Sequence, residues 1–560
     1  MIEYICMKKT NKALISMLII LILLVAGGLA YLLFFTDDKA SAEIRYLAAE
    51  TPEVSVLDKD QNELVLLRGT QVLLSKKTKK IDDVEYAKIY INDEEYYILP
   101  DGLVEEREDS VLESTLYVYR TCTVYKDDSS SSIAGLAYKG DEIEITSHSP
   151  LKVDGTVDRY GSDGGYILSK YLTDDYNKAK DPDDSSYATY LRQDTEDSYG
   201  AGSVATMDYY ANEKPSFEDN VMPEICKALY INAYALYDIE EYIDYALSTN
   251  VNTFVIDIRD SHIVTYASPV MEKYSPTSYA AAPFTKEEFK EKVQKCKDAG
   301  LYTVARITVF KDSNFMADHP EYAILDETEN NAPFRYGGAY WPSAYKREVW
   351  EYNVELSKEV ITDIGFNEVQ YDYVRFPEQI DYYADVVGTL DLQNDYNETR
   401  AEAIQRFLLY ACDEIHAIGG YVSADVFGET SEGYVCAYGQ YWPAISNVVD
   451  VISPMPYPDH FGEHAYGIEE IVWEVPYKLL INWGAHVRKM QELIPTPAKV
   501  RTYIQGYNAI YEPHVVYDNE KLDEQIRALI DSGIYDGYIV WNSGSYIDHY
   551  MLFREALSKY

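Results

Sequence analysis

Two aspartates close short runs of alternating residues, and their spacing suits paired-carboxylate chemistry. In Glu368–Pro377 the residues Val369, Tyr371 and Tyr373 fall on one face of an extended chain, while Gln370 and Asp372 fall on the other. In Tyr421–Phe427, Ser423 and Asp425 share one face against Val422, Ala424 and Val426. An ionisable group ending a buried strand is unfavourable unless it is paired or used. Neighbouring strands lie about 4.8 Å apart, so these carboxyls can approach the roughly 5–5.5 Å used in retaining glycoside cleavage. That chemistry needs one carboxylate as nucleophile and one carboxyl to protonate the leaving oxygen. Two like charges so close raise one pKa and so supply the acid. Arg306 or Arg375 is placed to keep the nucleophile ionised, and Glu429 is a rival acid from the following loop.

The same period-two reading places further polar residues on inward faces. Asp257 and Arg259 share a face opposite Phe254, Ile256 and Ile258, and Arg306, Ser453, Arg501, Gln505 and Asn542 come from other strands. With Asp372 and Asp425 as the catalytic pair, the expected substrate contacts are Asp257, Arg259, Asp260, Arg306, Arg375, Gln505, Trp541 and Asn542. The bland alternatives are a rim ion pair for Asp372 and Arg375, and a buried structural pair for Asp257 with Arg259 or Arg306. Aromatic residues near the strand ends (Tyr234, Trp341, Tyr373, Tyr457, Trp483, Tyr507, Trp541) suit either sugar stacking or packing.

The elements that must hold these residues alternate along the last 337 residues, 224–560. Strands are expected at 229–236, 253–259, 302–309, 368–376, 421–427, 449–455, 500–507 and 535–542. Amphipathic helices are expected at 286–299, 345–364, 399–418, 478–493 and 522–532, several ending in glycine (Gly300, Gly365, Gly419, Gly533). Eight strands with crossovers predict an α/β fold, a (β/α)8 TIM barrel with its site at the carboxyl ends of the strands. A doubly wound sheet would need a glycine-rich phosphate loop after its first strand, and there is none. Before the barrel, residues 43–105 and 114–173 show short alternating runs with turns, predicting two small all-β modules. Residues 174–215, rich in Asp, Ser, Tyr and Pro, read as a mobile linker.

The chain has 560 residues, and Ala13–Phe35 carries no charge, long enough to span a bilayer. Lysines before it and Asp37-Asp38 after it put residues 1–12 in the cytoplasm and the remainder outside, giving a single-pass cell-membrane protein. A cleaved signal peptide is the alternative, with Ala40-Ser41-Ala42 as its site. Met7 offers a second start. The net charge of −45 argues against nucleic acid as a partner. Six scattered cysteines give neither a disulfide framework nor a zinc site, and no cofactor or metal is implied. The 56 tyrosines suit sugar faces as well as they suit lineage composition.

Several of these segments resemble known families. Gly165–Leu172 and Tyr96–Pro100 resemble the closing strands of bacterial Src-homology-3-like wall modules, and Lys139-Gly140-Asp141 strengthens the likeness in the second. The barrel segment resembles glycoside-hydrolase (β/α)8 barrels long catalogued as a domain of unknown function. The resemblance rests on Val255–Asp260, Ala305-Arg306-Ile307, Phe310-Lys311-Asp312, Gln370–Pro377, Ser423–Gly428, Ser453–Pro458 and Trp541-Asn542. Together these span about three-fifths of the chain. The chain departs from the pattern with Arg259 in place of lysine and with Trp341-Pro342 lacking a spacer. The likeness implies a barrel with the strand-four aspartate as nucleophile and Asp425 as acid/base.

The leading expectation is a membrane-anchored extracytoplasmic glycosidase, retaining in mechanism, cleaving a cell-wall or exported polysaccharide. The β modules would bind wall glycan or peptide. The alternatives are a non-catalytic glycan-binding or wall-organising barrel, and a metal-dependent polysaccharide deacetylase using His460 and His464. No Gly-x-Ser-x-Gly elbow supports serine hydrolysis.

Overall fold

The computed structural model describes residues 39, 41–112, 114–180, 191 and 193–560. The apolar run 13–35, expected as the membrane anchor, lies outside the described residues. Among the described residues no helix is long and apolar enough to cross a membrane.

The amino-terminal unit is antiparallel β structure. Its first part is a seven-stranded sheet running from Glu43–Leu47 to Leu103–Val104. Alternation in Glu53–Asp58 buries Val54 and Val56, which join Leu47, Val72, Ile89 and Ile98 in one small core. In the second part Thr115–Val118 pairs with Glu142–Glu144 and Leu172–Thr173, and Arg159–Ser162 pairs with Gly165–Leu168.

The larger unit is a ring of parallel strands. They are β1 (Cys226–Ile231), β2 (Thr253–Asp260), β3 (Tyr302–Thr308), β4 (Glu368–Asp372), β5 (Tyr421–Phe427), β6 (Val451–Met455), β7 (Lys499–Val500 and Thr502–Gln505) and β8 (Gly537–Trp541). Each pairs with the next, and β8 pairs back onto β1, with Cys226 facing Gly537 and Leu229 facing Val540. The two pieces of β7 pair with β6 and β8 respectively, so the ring closes through that strand. A side chain at position 537 would meet the Cys226 carbonyl, which is why the closure takes glycine there.

The chain's amphipathic segments form the outer layer: α1 (Ile239–Leu247), α2 (Lys286–Asp298), α3 (Arg347–Glu359), α4 (Arg400–His416), α5 (Trp442–Ser446), α6 (Pro476–Glu492) and α7 (Asn519–Ser532). Thr285 with Glu288 and Thr399 with Glu402 form capping boxes that start α2 and α4. Gly533, at φ 74°, stops α7 and turns the chain into β8.

Two expectations need correction. The fourth strand was expected to run to Phe376 but stops at Asp372, because Tyr373 takes φ 50° and breaks the extended run. The linker expected over 174–215 does not stay free of the barrel. Ala201, Val204, Met207 and Tyr209 pack with Ala401, Tyr441 and Ala444. Further on, Asn212 donates to Val448 O (2.9 Å), Lys214 to Asn447 O (3.0 Å) and Asn220 to Asn367 O (2.8 Å). The segment thus straps the amino ends of β4–β6 through hydrogen bonds to their backbone carbonyls. Its polar composition hid this from periodicity. Residues 181–190 lie outside the described residues.

Candidate active site

Inward side chains stack in layers up the barrel. Lowest, Arg501 holds Glu368 through both carboxylate oxygens (2.8 and 3.2 Å), and Tyr302 donates to the same group (3.1 Å). Above them, the Gln370 amide donates to Ser453 (3.0 Å) and accepts from the Tyr503 hydroxyl (2.7 Å). The top layer is built around Arg306, itself 2 % exposed. Its Nε lies 3.1 Å from Asp372 Oδ2 and 4.0 Å from Asp425 Oδ2, its Nη2 also donates to Asp372, and its Nη1 is 2.6 Å from Asp257. Asp260 stands 3.9 Å away at the more exposed side.

Strand register explains the convergence. Arg306 pairs with Gln370 across β3–β4, and Gln370 with Ser423 across β4–β5, so Asp372 and Asp425 occupy equivalent heights two residues on. One guanidinium therefore faces three buried carboxyls, so all three cannot be ionised without uncompensated buried charge. Burial, and then the charge of Asp372, drive the Asp425 carboxyl well above the usual range, against the pull of Arg306 and Tyr503. Its Oδ2 takes the Tyr503 hydroxyl at 3.3 Å, while its Oδ1 has no hydrogen-bond partner among the described residues. The unmatched oxygen fits a carboxyl that keeps its proton.

Burial pushes Asp257 up to about 6, with Arg306 opposing and Asp260 adding. Its other oxygen accepts from Tyr230. A folded pKa above the unfolded 3.8 means that the native state holds this proton longer, so stability falls as pH rises from about 4 to 6 and is level beyond. The fall attributable to Asp257 is on the order of 3 kcal/mol. Urea titrations at pH 4 and 7 should therefore show a smaller loss of stability in Asp257→Asn than in the wild type. An equal loss in both would refute the assignment.

Asp372 is fixed at both oxygens, Oδ2 by Arg306 and Oδ1 by the Tyr373 backbone N–H at 2.6 Å. Tyr373 holds a conformation that bulky residues rarely adopt. The Phe310 N–H donates to its carbonyl (3.2 Å), Lys311 donates to its hydroxyl (3.0 Å), and Trp341 packs edge-on at 6.0 Å.

The remaining expected contacts divide. Trp541 packs against Tyr230 with ring centroids 4.1 Å apart, and the Arg306 guanidinium lies over both rings. Arg259 does not share the face of Asp257. A bulge between those residues turns it into the helix layer, where it pairs with Asp312 (3.1 Å), donates to Asn353 and lies over Tyr352. Arg375 is not at Asp372 either: it donates to Glu378 (2.7 Å) amid the rings of Trp341, Tyr373, Phe427 and Tyr438. Gln505 accepts from the Asp459 backbone, and Asn542 donates to Gly506 O, so both brace loops. Glu429 accepts from Tyr434 and Tyr438. His460 lies beside Tyr507, and His464 opens a short turn. Among the described residues no group of three or more His, Cys, Asp or Glu is placed to hold a metal ion.

Sequence reasoning passed over Tyr230 and Tyr503. For Tyr503 the signal was available, since it sits midway between Arg501 and Gln505 on one alternating face.

Comparison with known proteins gives the chain its kin. No curated protein matches it. Among solved structures it is similar to a hypothetical protein from Ruminiclostridium thermocellum (26 % identity, 35 % of this chain and 97 % of that one, TM-score 0.29). It is also similar to the PgaB (BpsB) glycoside hydrolase domain from Bordetella bronchiseptica (13 %, 60 % and 99 %, 0.41). A third is the C-terminal domain of a putative chitinase from Desulfitobacterium hafniense (10 %, 60 % and 99 %, 0.37). The family described as "Putative glycosyl hydrolase domain" matches residues 228–546, from β1 to just beyond β8. That match takes in more than half of the chain, so the protein belongs to this glycosyl hydrolase family and is of the glycosidase class.

Proposed function

We propose that this protein is a membrane-anchored, extracytoplasmic glycosidase that cleaves a cell-wall or exported polysaccharide with retention of configuration. The observation that carries the reading is one guanidinium shared by two buried carboxyls on adjacent strands, bonded to Asp372 and 4.0 Å from Asp425. Asp372, doubly bonded by Arg306 and the more solvent-facing of the pair, is the nucleophile. Asp425, buried and proton-holding, is the acid that protonates the leaving oxygen, and later takes a proton from water. Their in-register placement on adjacent strands favours the shorter separation of retaining enzymes over the wider gap of inverting ones. The apolar run 13–35 is the anchor, and the two β assemblies are read as wall-binding modules of the Src-homology-3-like kind.

The full chain, offered solubilised peptidoglycan strands, a wall teichoic acid and poly-N-acetylglucosamine, should release reducing ends from one of them. The first product, followed by proton NMR, should keep the anomeric configuration of the substrate. Inversion would remove the nucleophile role from Asp372. Activity surviving in Asp425→Asn would pass the acid role to Glu429 or Asp260.

Tyr503 offers a separate check. Its hydrogen bond lowers the Asp425 pKa, so Tyr503→Phe should move the alkaline limb of the kcat/KM profile upward. Loss of one hydrogen bond should lower kcat about tenfold. An alkaline limb that stays put would place the titrating acid elsewhere.

A further inference from the structure

We infer that the barrel mouth carries an open track for a polysaccharide chain, running from the β1/β8 side to the β3/β4 side, so that cleavage falls within chains. This inference rests on the glycosidase reading and adds to it the mode of cleavage, within a chain bound along several sugar units.

The observation is where tyrosine is left exposed. Within residues 224–560, every tyrosine exposed by more than a third lies on a segment leaving the carboxyl end of a strand. Tyr234 and Tyr237 follow β1 (67 % and 56 % exposed), Tyr546 follows β8 (64 %), Tyr340 follows β3 (38 %) and Tyr382 follows β4 (52 %), while Tyr511 after β7 (55 %) and Tyr279 after β2 (37 %) flank the first bank. The opposite end of the barrel has none. Hydrophobic burial alone would treat both ends alike, so the asymmetry needs a cause at the mouth. A phenol ring with a polar tip stacks on the C–H face of a sugar while its hydroxyl stays wet.

Strand order sets the direction. In an eight-membered ring β1 and β8 are neighbours, and β4 stands across from them. Each bank is tied. Asn232 donates through its backbone N–H to Ser545 Oγ (2.9 Å) and through its amide to Ser543 O (3.0 Å), joining the loops after β1 and β8. On the far side, Leu325–Asp326 pairs with both Ala332–Pro333 and Leu390–Asp391, joining the loops after β3 and β4 into one small sheet. Arg306, Trp541 and Asp372 lie between the two banks. A chain laid from one bank to the other passes over the carboxyls with sugars on both sides of the cut.

The test replaces one ring on each bank, Tyr234→Ala and Tyr382→Ala, in the full-length protein. KM on the polymer that the wild type cleaves should rise about fivefold in each variant. Hydrolysis of a chromogenic monosaccharide or disaccharide glycoside should be unchanged, and early wild-type products should be oligomers of mixed length. Mono- or disaccharide release from the first minutes without shortening of the polymer would overturn the track, as would an unaltered polymer KM in both variants. Should the wild type cleave none of the three polymers, affinity electrophoresis in gels containing each one decides the matter. Retardation of wild type that both variants lose would uphold the track while rejecting the glycosidase reading. Retardation kept by the variants, or absent throughout, would overturn it.

Discussion

Asp372→Asn should abolish glycoside cleavage in a protein that remains folded. The substitution keeps the shape of the side chain but leaves one acceptor oxygen where the Tyr373 N–H and Arg306 use two, and it removes the negative charge that attacks the anomeric carbon. A loss of at least ~10³ in kcat is expected, on the order of 4 kcal/mol of transition-state stabilisation. Substrate binding should be nearly intact, since the sugar-stacking surfaces are untouched. Reducing-end assays with a thermal unfolding control check this directly. Activity within tenfold of wild type would end the nucleophile assignment and direct attention to Asp257 or Glu429.

Arg306→Met should lose both activity and stability. The guanidinium lies within ion-pair distance of Asp257, Asp372 and Asp425, all nine-tenths or more buried. Burial works against its own charge, and the carboxylates of Asp257, Asp372 and Asp260 outweigh that. Removing it leaves buried carboxyls that must either take up protons or break the packing, at about 3–5 kcal/mol. The telling measurement is the double variant. Arg306→Met with Asp257→Asn should recover part of the lost stability without recovering activity, because it removes one uncompensated charge while Asp372 still lacks its partner. A double variant less stable than the single one would show that Asp257 is held by something other than Arg306.

The strand pattern was legible because parallel strands buried on both faces still alternate where one face meets a polar barrel interior. Thus Gln370, Asp372 and Asp425 were placed inward from spacing alone, and their layered partners Ser453 and Arg501 with them. Local backbone departures were not legible. Nothing in the alternation of Val255–Asp260 announces the bulge that sends Arg259 outward. Nor does composition mark Tyr373 as a left-handed residue, a place where glycine or asparagine would have signalled the turn. Arg375 was expected at Asp372 from its nearness in sequence, and beyond the strand's end it bonds to Glu378 instead. The strap over 201–224 was invisible because side-chain amides bonded to carbonyls carry no period.

The bulge in β2 makes chain length, and not only residue type, a determinant of the site's charge. One extra residue there lets a single strand serve two separate ion systems, Asp257 with Arg306 inside and Arg259 with Asp312 outside. One further residue inserted beside Ile258 would carry Arg259 across the sheet. The barrel interior would gain a second guanidinium beside Arg306, and Asp312 would be left buried without its cation. A one-residue insertion at this point is therefore a larger evolutionary step than most substitutions in the pocket. The spacing between Asp257 and Arg259 should be among the features of the chain least free to drift.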